Sequence, residues 1–233
     1  MKTLTLNTES GKMPVYLFEQ EQAAPLLILL MDAIGVRDEM RNLARDLFRE
    51  GYTVALPSLY YRDGHHEDMD FSNPKVHETV MHLYSGYSHA KAKEDIGAVL
   101  DHFSERPVGL LGFCMGGANA LYLAGAFPEE IAAAAAIHPG GIATEAEDSP
   151  HRLAAKAKAE LYVAIADEDP YASPEQVAEL ENALSGAGVS YQLELYQGAH
   201  HGFAFASLPS FNHDAQQRYW RESTALFARC LKE

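Results

Sequence analysis

Short apolar runs constrain this chain most, because they recur along its length with helical patterns between them and several of them lack alternation. Strands that are buried on both faces of a parallel sheet have this composition, whereas half-exposed strands alternate apolar and polar residues. The runs cover residues 15–18, 26–31, 53–56, 108–113, 132–137, 161–166 and 191–196. The succession predicts an α/β fold with a mainly parallel central sheet flanked by helices.

Helical periods of apolar residues fill the intervals at 40–48, 96–103 and 177–184. A chain of 233 residues suits one sizeable domain, so we expect a single α/β domain over residues 1–233. Residues 62–89 interrupt the rhythm with a polar stretch and a possible helix. We interpret them as a lid segment within that domain.

The charge of the chain excludes polyanionic partners. Its 33 acidic and 18 basic residues give a formal net charge of -15, which repels nucleic acids and anionic membranes.

No apolar run approaches the roughly 20 residues that span a bilayer, and the first residues lack a secretory signal. We therefore expect a cytoplasmic monomer or weak homodimer that acts on a small-molecule substrate. With only 2 cysteines in the chain, we expect Cys114 to be a reduced thiol.

Cys114 stands where a predicted strand turns into a predicted helix, in LLGFCMGGANALYLAG. Gly112 and Gly116 flank it, which gives the nucleophile-elbow pattern G-x-C-x-G with Cys in place of Ser. Small neighbours permit the strained turn, while a helix N-terminus favours a thiolate and offers N–H groups to an oxyanion. The alternative is a buried structural cysteine in a tight turn, but the buried strand before it favours a nucleophile.

An acid and a histidine follow in the chain order of α/β-hydrolases, which is nucleophile, acid, histidine. Asp167, Glu168 and Asp169 come after the run 161–166, and His200 and His201 lie in a Gly-rich loop after the last strand. The residues alone leave open which carboxylate orients which histidine.

Four segments in order resemble the dienelactone hydrolase family of α/β-hydrolases. They are G-F-C-M-G-G, D-P-Y-A-S-P, A-H-H-G-F and the stretch ILLMDAIG to LYYR, and the similarity covers nearly the whole chain. The resemblance implies the α/β-hydrolase fold and a cofactor-free hydrolase of esters, lactones or thioesters. Carried over to matching positions, it implies Cys114 as nucleophile, Asp169 as acid and His201 as base.

The resemblance also implies supporting roles for three residues. The family's extra acidic residue, usually Glu and thought to interact with the resting thiol, falls at Asp32. The backbone N–H groups of Ala33 and Met115 would form the oxyanion hole.

Substrate contacts are the point at which the sequence departs from that family. Phe205 occupies the position of an arginine that helps hold the substrate carboxylate, which predicts a preference for neutral esters. Tyr60 and Tyr84 are further candidates for the lining of the substrate pocket, together with Phe205.

Two other functions stay open. A cysteine peptidase applies the same chemistry to an extended chain, and a redox sensor or binding protein would oxidise Cys114 reversibly. The presence of Asp169 and His201 in hydrolase order favours the hydrolase.

Residues 65–68 (HHED) imitate a metal site, but consecutive side chains rarely converge on one ion, so we expect no metal and no cofactor.

Overall fold

The computed structural model describes residues 1–21, 23–104 and 106–232. The chain forms two compact units, Met1–Pro107 and Val108–Glu233. Among the described residues there are eight β-strands and seven α-helices. No helix in this part of the chain combines the length and apolarity that crossing a bilayer requires. The predicted single domain over residues 1–233 stays a prediction.

The first unit is a four-stranded arrangement with three helices. Its elements are β1 (Lys2–Thr8), β2 (Gly11–Phe18), β3 (Leu26–Leu30), α1 (Asp38–Arg49), β4 (Thr53–Pro57), α2 (Pro74–Gly86) and α3 (His89–His102). The strands lie in the order β1-β2-β4-β3, with an antiparallel β1–β2 hairpin and a parallel β3–β4 pair. Every residue of β3 and β4 is buried, as their unbroken apolar sequence predicts.

The second unit alternates strand and helix throughout. Its elements are β5 (Val108–Phe113), α4 (Met115–Ala126), β6 (Ile131–Ile137), α5 (Pro150–Ala154), β7 (Glu160–Ala166), α6 (Pro174–Ala187), β8 (Tyr191–Tyr196) and α7 (His213–Leu231). The four strands are parallel and adjacent in chain order. Their carboxyl ends therefore meet at one edge, where ligands bind in open α/β sheets.

The seven predicted strands and the predicted helices are confirmed, and so is the mainly parallel pairing of the strands, although the pairs β1–β2 and β2–β4 of the first unit are antiparallel. The strand β1 was not predicted. The segment 62–89 contains the predicted helix as α2, and its role as a lid stays a prediction.

A buried ion pair fixes the start of the segment 62–89. Both carboxylate oxygens of Asp95, which is fully buried, accept hydrogen bonds from Arg62 at 2.8 and 2.9 Å. The hydroxyls of Tyr61 and Tyr87 donate to the same carboxylate at 2.9 and 3.1 Å, and Arg62 also pairs with Glu94 at 3.0 Å. The charge of Arg62 is thus compensated inside the first unit.

Candidate active site

Cys114 occupies the turn between β5 and α4 with φ 52° and ψ −114°. A positive φ is unfavourable for a residue with a Cβ, and such strain is concentrated at functional sites. The turn is held on both sides, because the N–H of Cys114 donates to the carbonyl of Ile137 at 3.0 Å and its own carbonyl accepts from Ala118 at 3.1 Å. The thiol is left partly exposed.

Glycines make this turn possible. A Cβ at Gly112 would overlap the backbone carbonyl of Gly116, and one at Gly117 would lie 3.1 Å from the ring of Pro139. The end of β5, the first turn of α4 and the loop after β6 therefore approach one another backbone to backbone. The sequence pattern G-x-C-x-G has this close approach as its physical cause.

Asp169 and His201 form a close pair in the second unit. Nδ1 of His201 lies 2.7 Å from Oδ2 of Asp169, and the Asp169 side chain is fully buried while that of His201 is 16% exposed. Since a carboxylate can only accept, Nδ1 carries the donated hydrogen. The other carboxylate oxygen of Asp169 accepts the N–H of Tyr171 at 2.9 Å.

The neighbouring acid and histidine have different surroundings. Oδ2 of Asp167 accepts the N–H of Gly198 at 3.0 Å, and the N–H of Asp167 donates to the carbonyl of Ala199 at 2.7 Å. Asp167 therefore fastens the loop after β8 to the end of β7. His200 is exposed to solvent.

The electrostatics of His201 favour a charged ring. Burial lowers its pKa, but the hydrogen bond with Asp169 and the neighbouring side chain of Cys114 outweigh burial and raise the pKa to about 10. Nε2 is buried, and no described group meets standard hydrogen-bond geometry with it. The side chain of Cys114 nevertheless lies near enough to raise the pKa of His201. Catalytic hydrogen bonds that are long without substrate often tighten when substrate binds.

Aromatic rings pack against this imidazole from the core. His138 follows β6 with φ 37° and is buried, and its ring centroid lies 5.1 Å from those of His201 and Phe203. Phe205 is 4% exposed and packs 4.9 Å from Phe113. Phe205 therefore belongs to the core cluster next to His201, and its predicted contact with substrate stays a prediction.

Tyr171 also contacts His201, and sequence reasoning missed it. The two ring centroids lie 4.7 Å apart, and the Tyr171 side chain remains exposed. The available signal was the tyrosine two residues after Asp169 in the segment D-P-Y-A-S-P.

Asp32 and Ala33 lie in the first unit, directly after β3. The carboxylate of buried Asp32 accepts from Nη1 and Nη2 of Arg37 at 2.8 and 2.9 Å, and the carbonyl of Ala33 accepts from the hydroxyl of Tyr60 at 3.0 Å. Sequence reasoning missed Arg37. The available signal was its position five residues after Asp32, the acid just after β3. The predicted roles of Asp32 and Ala33 stay predictions.

The remaining site candidates occupy defined places. Met115 is the first residue of α4, Tyr60 is buried with its ring edge-on to Tyr87, and Tyr84 lies in α2. None of these placements tests a role in the oxyanion hole or the pocket.

The side chains of residues 65–68 diverge. Glu67 accepts from the hydroxyl of Tyr16, Asp68 pairs with Arg41, and Nε2 of His66 lies 3.0 Å from the carbonyl of Asp63. Over the described ranges, no three His, Cys, Asp or Glu side chains are grouped so that they could hold a metal ion.

Comparison with known proteins identifies the family of this chain. Residues 13–231 match the model of the dienelactone hydrolase family. A carboxymethylenebutenolidase of Rhodococcus opacus is 28% identical over 211 residues, which cover 88% of this chain and 81% of that protein.

Solved structures agree on the fold. A protein from Klebsiella pneumoniae subsp. pneumoniae is 22% identical and superposes with a TM-score of 0.85 over 98% of each chain. A dienelactone hydrolase from Anabaena variabilis is 17% identical, with a TM-score of 0.68 over 99% of this chain and 97% of that one. The chain therefore belongs to the dienelactone hydrolase family and is a dienelactone hydrolase-like hydrolase with the α/β-hydrolase fold.

Proposed function

We propose that this chain hydrolyses neutral carboxylic esters, lactones or thioesters through an acyl-enzyme on Cys114. His201 transfers the protons, and Asp169 holds its imidazole in the tautomer and orientation that the reaction requires. The observation that carries the proposal is the 2.7 Å contact between Asp169 and His201, on an imidazole whose pKa the thiol of Cys114 helps to raise.

Acylation begins with the sulfur of Cys114 as a thiolate and the ring of His201 protonated. The sulfur attacks the carbonyl carbon, a C–S bond forms, and the carbonyl electrons move to oxygen. The N–H of Met115 at the start of α4 stabilises that oxyanion. When the oxyanion collapses, the C–O bond to the leaving group breaks, and the leaving oxygen takes the proton from His201.

Deacylation uses the same histidine in the opposite sense. The thioester no longer carries the negative charge of the thiolate, so one cause of the raised pKa of His201 is removed. The neutral ring can then accept a proton from the water that attacks the thioester. The C–S bond breaks, the carboxylic acid leaves, and the thiolate and the protonated ring are restored.

Charge favours neutral substrates. The net charge of the chain is -15, and the loop that carries Asp169 also carries Asp167 and exposed Glu168. Arg62, the first basic residue of the segment 62–89, is already bound by Asp95 and Glu94. An anionic substrate would be repelled on approach, and its carboxylate would need a partner when buried.

A substrate panel with trapped intermediates tests the proposal. Wild type, Cys114→Ala and Cys230→Ala are assayed on neutral and carboxylate-bearing esters, lactones, thioesters and short peptides, and the acid-quenched proteins are weighed by mass spectrometry. We expect an acyl adduct on wild type and Cys230→Ala, none on Cys114→Ala, and faster turnover of the neutral member of each pair.

The other outcomes separate the rival functions. Ester hydrolysis by Cys114→Ala would contradict the assignment of Cys114 as nucleophile. If the protein cleaved the short peptides but none of the esters, that result would instead support a cysteine peptidase. A thiol that peroxide oxidises reversibly, in a protein with no hydrolytic activity, would support a redox sensor.

A further inference from the structure

Tyr171 is a large aromatic side chain left 52% exposed beside the candidate active site. Its ring is tilted by 59° against the imidazole of His201, at a centroid distance of 4.7 Å. Part of the ring thus covers His201, and the rest faces solvent. An exposed aromatic surface next to reacting groups is a contact surface for apolar or planar ligands.

The backbone of Tyr171 is fixed on both sides. Its N–H donates to Oδ1 of Asp169 at 2.9 Å, and its carbonyl accepts from the N–H of Gly141 at 2.7 Å. A Cβ at Gly140 would lie only 2.9 Å from the Cβ of Tyr171, so the loop after β6 packs closely against the base of this side chain. A ring held in this way loses little conformational entropy when a ligand stacks on it.

The position of Tyr171 relative to His201 indicates which half of a substrate it meets. In acyl transfer the imidazole gives its proton to the oxygen of the leaving group. A side chain packed on that imidazole borders the leaving group rather than the oxyanion. The neighbouring charges, Asp167 and Glu168, favour a group without negative charge.

We propose that Tyr171 is a specificity-determining residue that binds a neutral aromatic leaving group, so that aryl esters are preferred over alkyl esters of equal intrinsic reactivity. This inference rests on the proposed ester hydrolysis at Cys114. It assigns the substrate class of the same site by the alcohol that leaves, not by the acyl group that stays.

The test compares two acetates whose alcohols have similar acidity, phenyl acetate and hexafluoroisopropyl acetate. Both give the same acetyl-enzyme, so a difference between them reports binding and acylation alone. Wild type is compared with Tyr171→Ala, Tyr171→Leu and Tyr171→Phe. The control is Leu195→Ala on β8, which removes an apolar side chain of similar exposure, 51%.

We expect Tyr171→Ala and Tyr171→Leu to lower kcat/KM for phenyl acetate by about threefold to tenfold, mainly through KM. The same variants should change kcat/KM for the fluoroalkyl ester by less than about twofold, and Tyr171→Phe and Leu195→Ala should resemble wild type on both esters. Equal losses on the two esters, or no loss on phenyl acetate, would overturn the role of Tyr171 while ester hydrolysis stands. A wild type that forms no acetyl-enzyme would overturn the proposed function itself.

Discussion

Asp167 and Asp169 lie two residues apart after β7, yet their carboxylates bind different parts of the same loop. Oδ2 of Asp169 lies 2.7 Å from the ring of His201, whereas Oδ2 of Asp167 accepts the backbone N–H of Gly198 at 3.0 Å. The carboxylate of Asp169 orients the imidazole of His201, and that of Asp167 anchors the turn that precedes His201. The two acids are therefore a matched pair for separating chemistry from loop anchoring.

Asp169→Asn should lower kcat/KM for a neutral ester by about 10²- to 10⁴-fold, because the amide no longer holds His201 in the required tautomer. Asp167→Ala should keep activity within about threefold and lower the free energy of unfolding by about 1 kcal/mol through the lost hydrogen bond to Gly198. Steady-state kinetics and urea unfolding measure the two effects. Equal kinetic losses in two folded variants would leave the acid unassigned.

His201→Gln should reduce turnover by about 10³-fold or more, since glutamine cannot transfer the protons of either step. His200→Gln changes an exposed side chain and should keep turnover near that of wild type. The comparison is made by single-turnover kinetics at one pH with circular dichroism as the folding control. A strong effect at His200 would move the base to the neighbouring position.

Cys114 should react with iodoacetamide before Cys230 does. Sγ of Cys230 lies 3.5 Å from a carboxylate oxygen of Glu160, whose negative charge disfavours a thiolate, whereas Cys114 precedes a helix N-terminus and neighbours a protonated histidine. Peptide mass spectrometry over a time course gives both rates. Loss of activity should follow the modification of Cys114, and activity that survives its complete alkylation would exclude it as nucleophile.

The pH profile should show the raised pKa of His201. Because that pKa lies near 10 rather than 6.5, the protonated ring is present below about pH 10 and is lost as the pH rises through that value. For an alkyl ester, whose leaving group needs the proton, kcat/KM should therefore fall above about pH 10.

Asp169→Asn should move that fall to lower pH, since it removes one cause of the raised pKa. A p-nitrophenyl ester is the control, because its leaving group departs without a proton and its profile should stay flat in this range. An NMR titration of the ¹⁵N-labelled imidazole measures the pKa directly. A ring that titrates near its ordinary value would contradict the proposed thiolate–imidazolium pair.

Gly112→Ala should destabilise the protein by about 3 kcal/mol or more, because the added Cβ meets the backbone of Gly116, which cannot move aside as a flexible side chain can. Gly186→Ala is the matched control. A Cβ at Gly186, within α6, would meet no atom within 4 Å, and the change should be neutral or stabilising by up to about 1 kcal/mol. Thermal and urea unfolding measure both variants.

The strands were predictable where both faces are buried, because such strands can hold few polar residues. β3, β5 and β7 are examples. β1 escaped prediction because its sequence, KTLTLNT, is mostly polar and its residues are mostly exposed. It is held by pairing with β2, a tertiary relationship that local hydrophobicity does not record. α5 spans only five residues, too few to show a helical period.

The candidate site was predictable to the extent that chain order reflects the parallel sheet. Cys114, Asp169 and His201 each follow a strand, so the order of motifs brought them to one edge. The ion pair of Asp32 with Arg37 and the packing of Tyr171 on His201 were not predictable, because each depends on how a loop turns back. The pattern of residues leaves such turns undetermined.

The contact between Gly112 and Gly116 is made by backbone alone, and the side chain of Cys114 has no part in it. The close approach of the backbone in this turn is thus independent of the side chain at position 114. A serine can therefore replace Cys114 without a change in this backbone contact, whereas a Cβ at Gly112 would overlap the carbonyl of Gly116. The proposed nucleophile is thus a side chain that the turn does not depend on, whereas Gly112 is fixed by a backbone contact that any side chain would break.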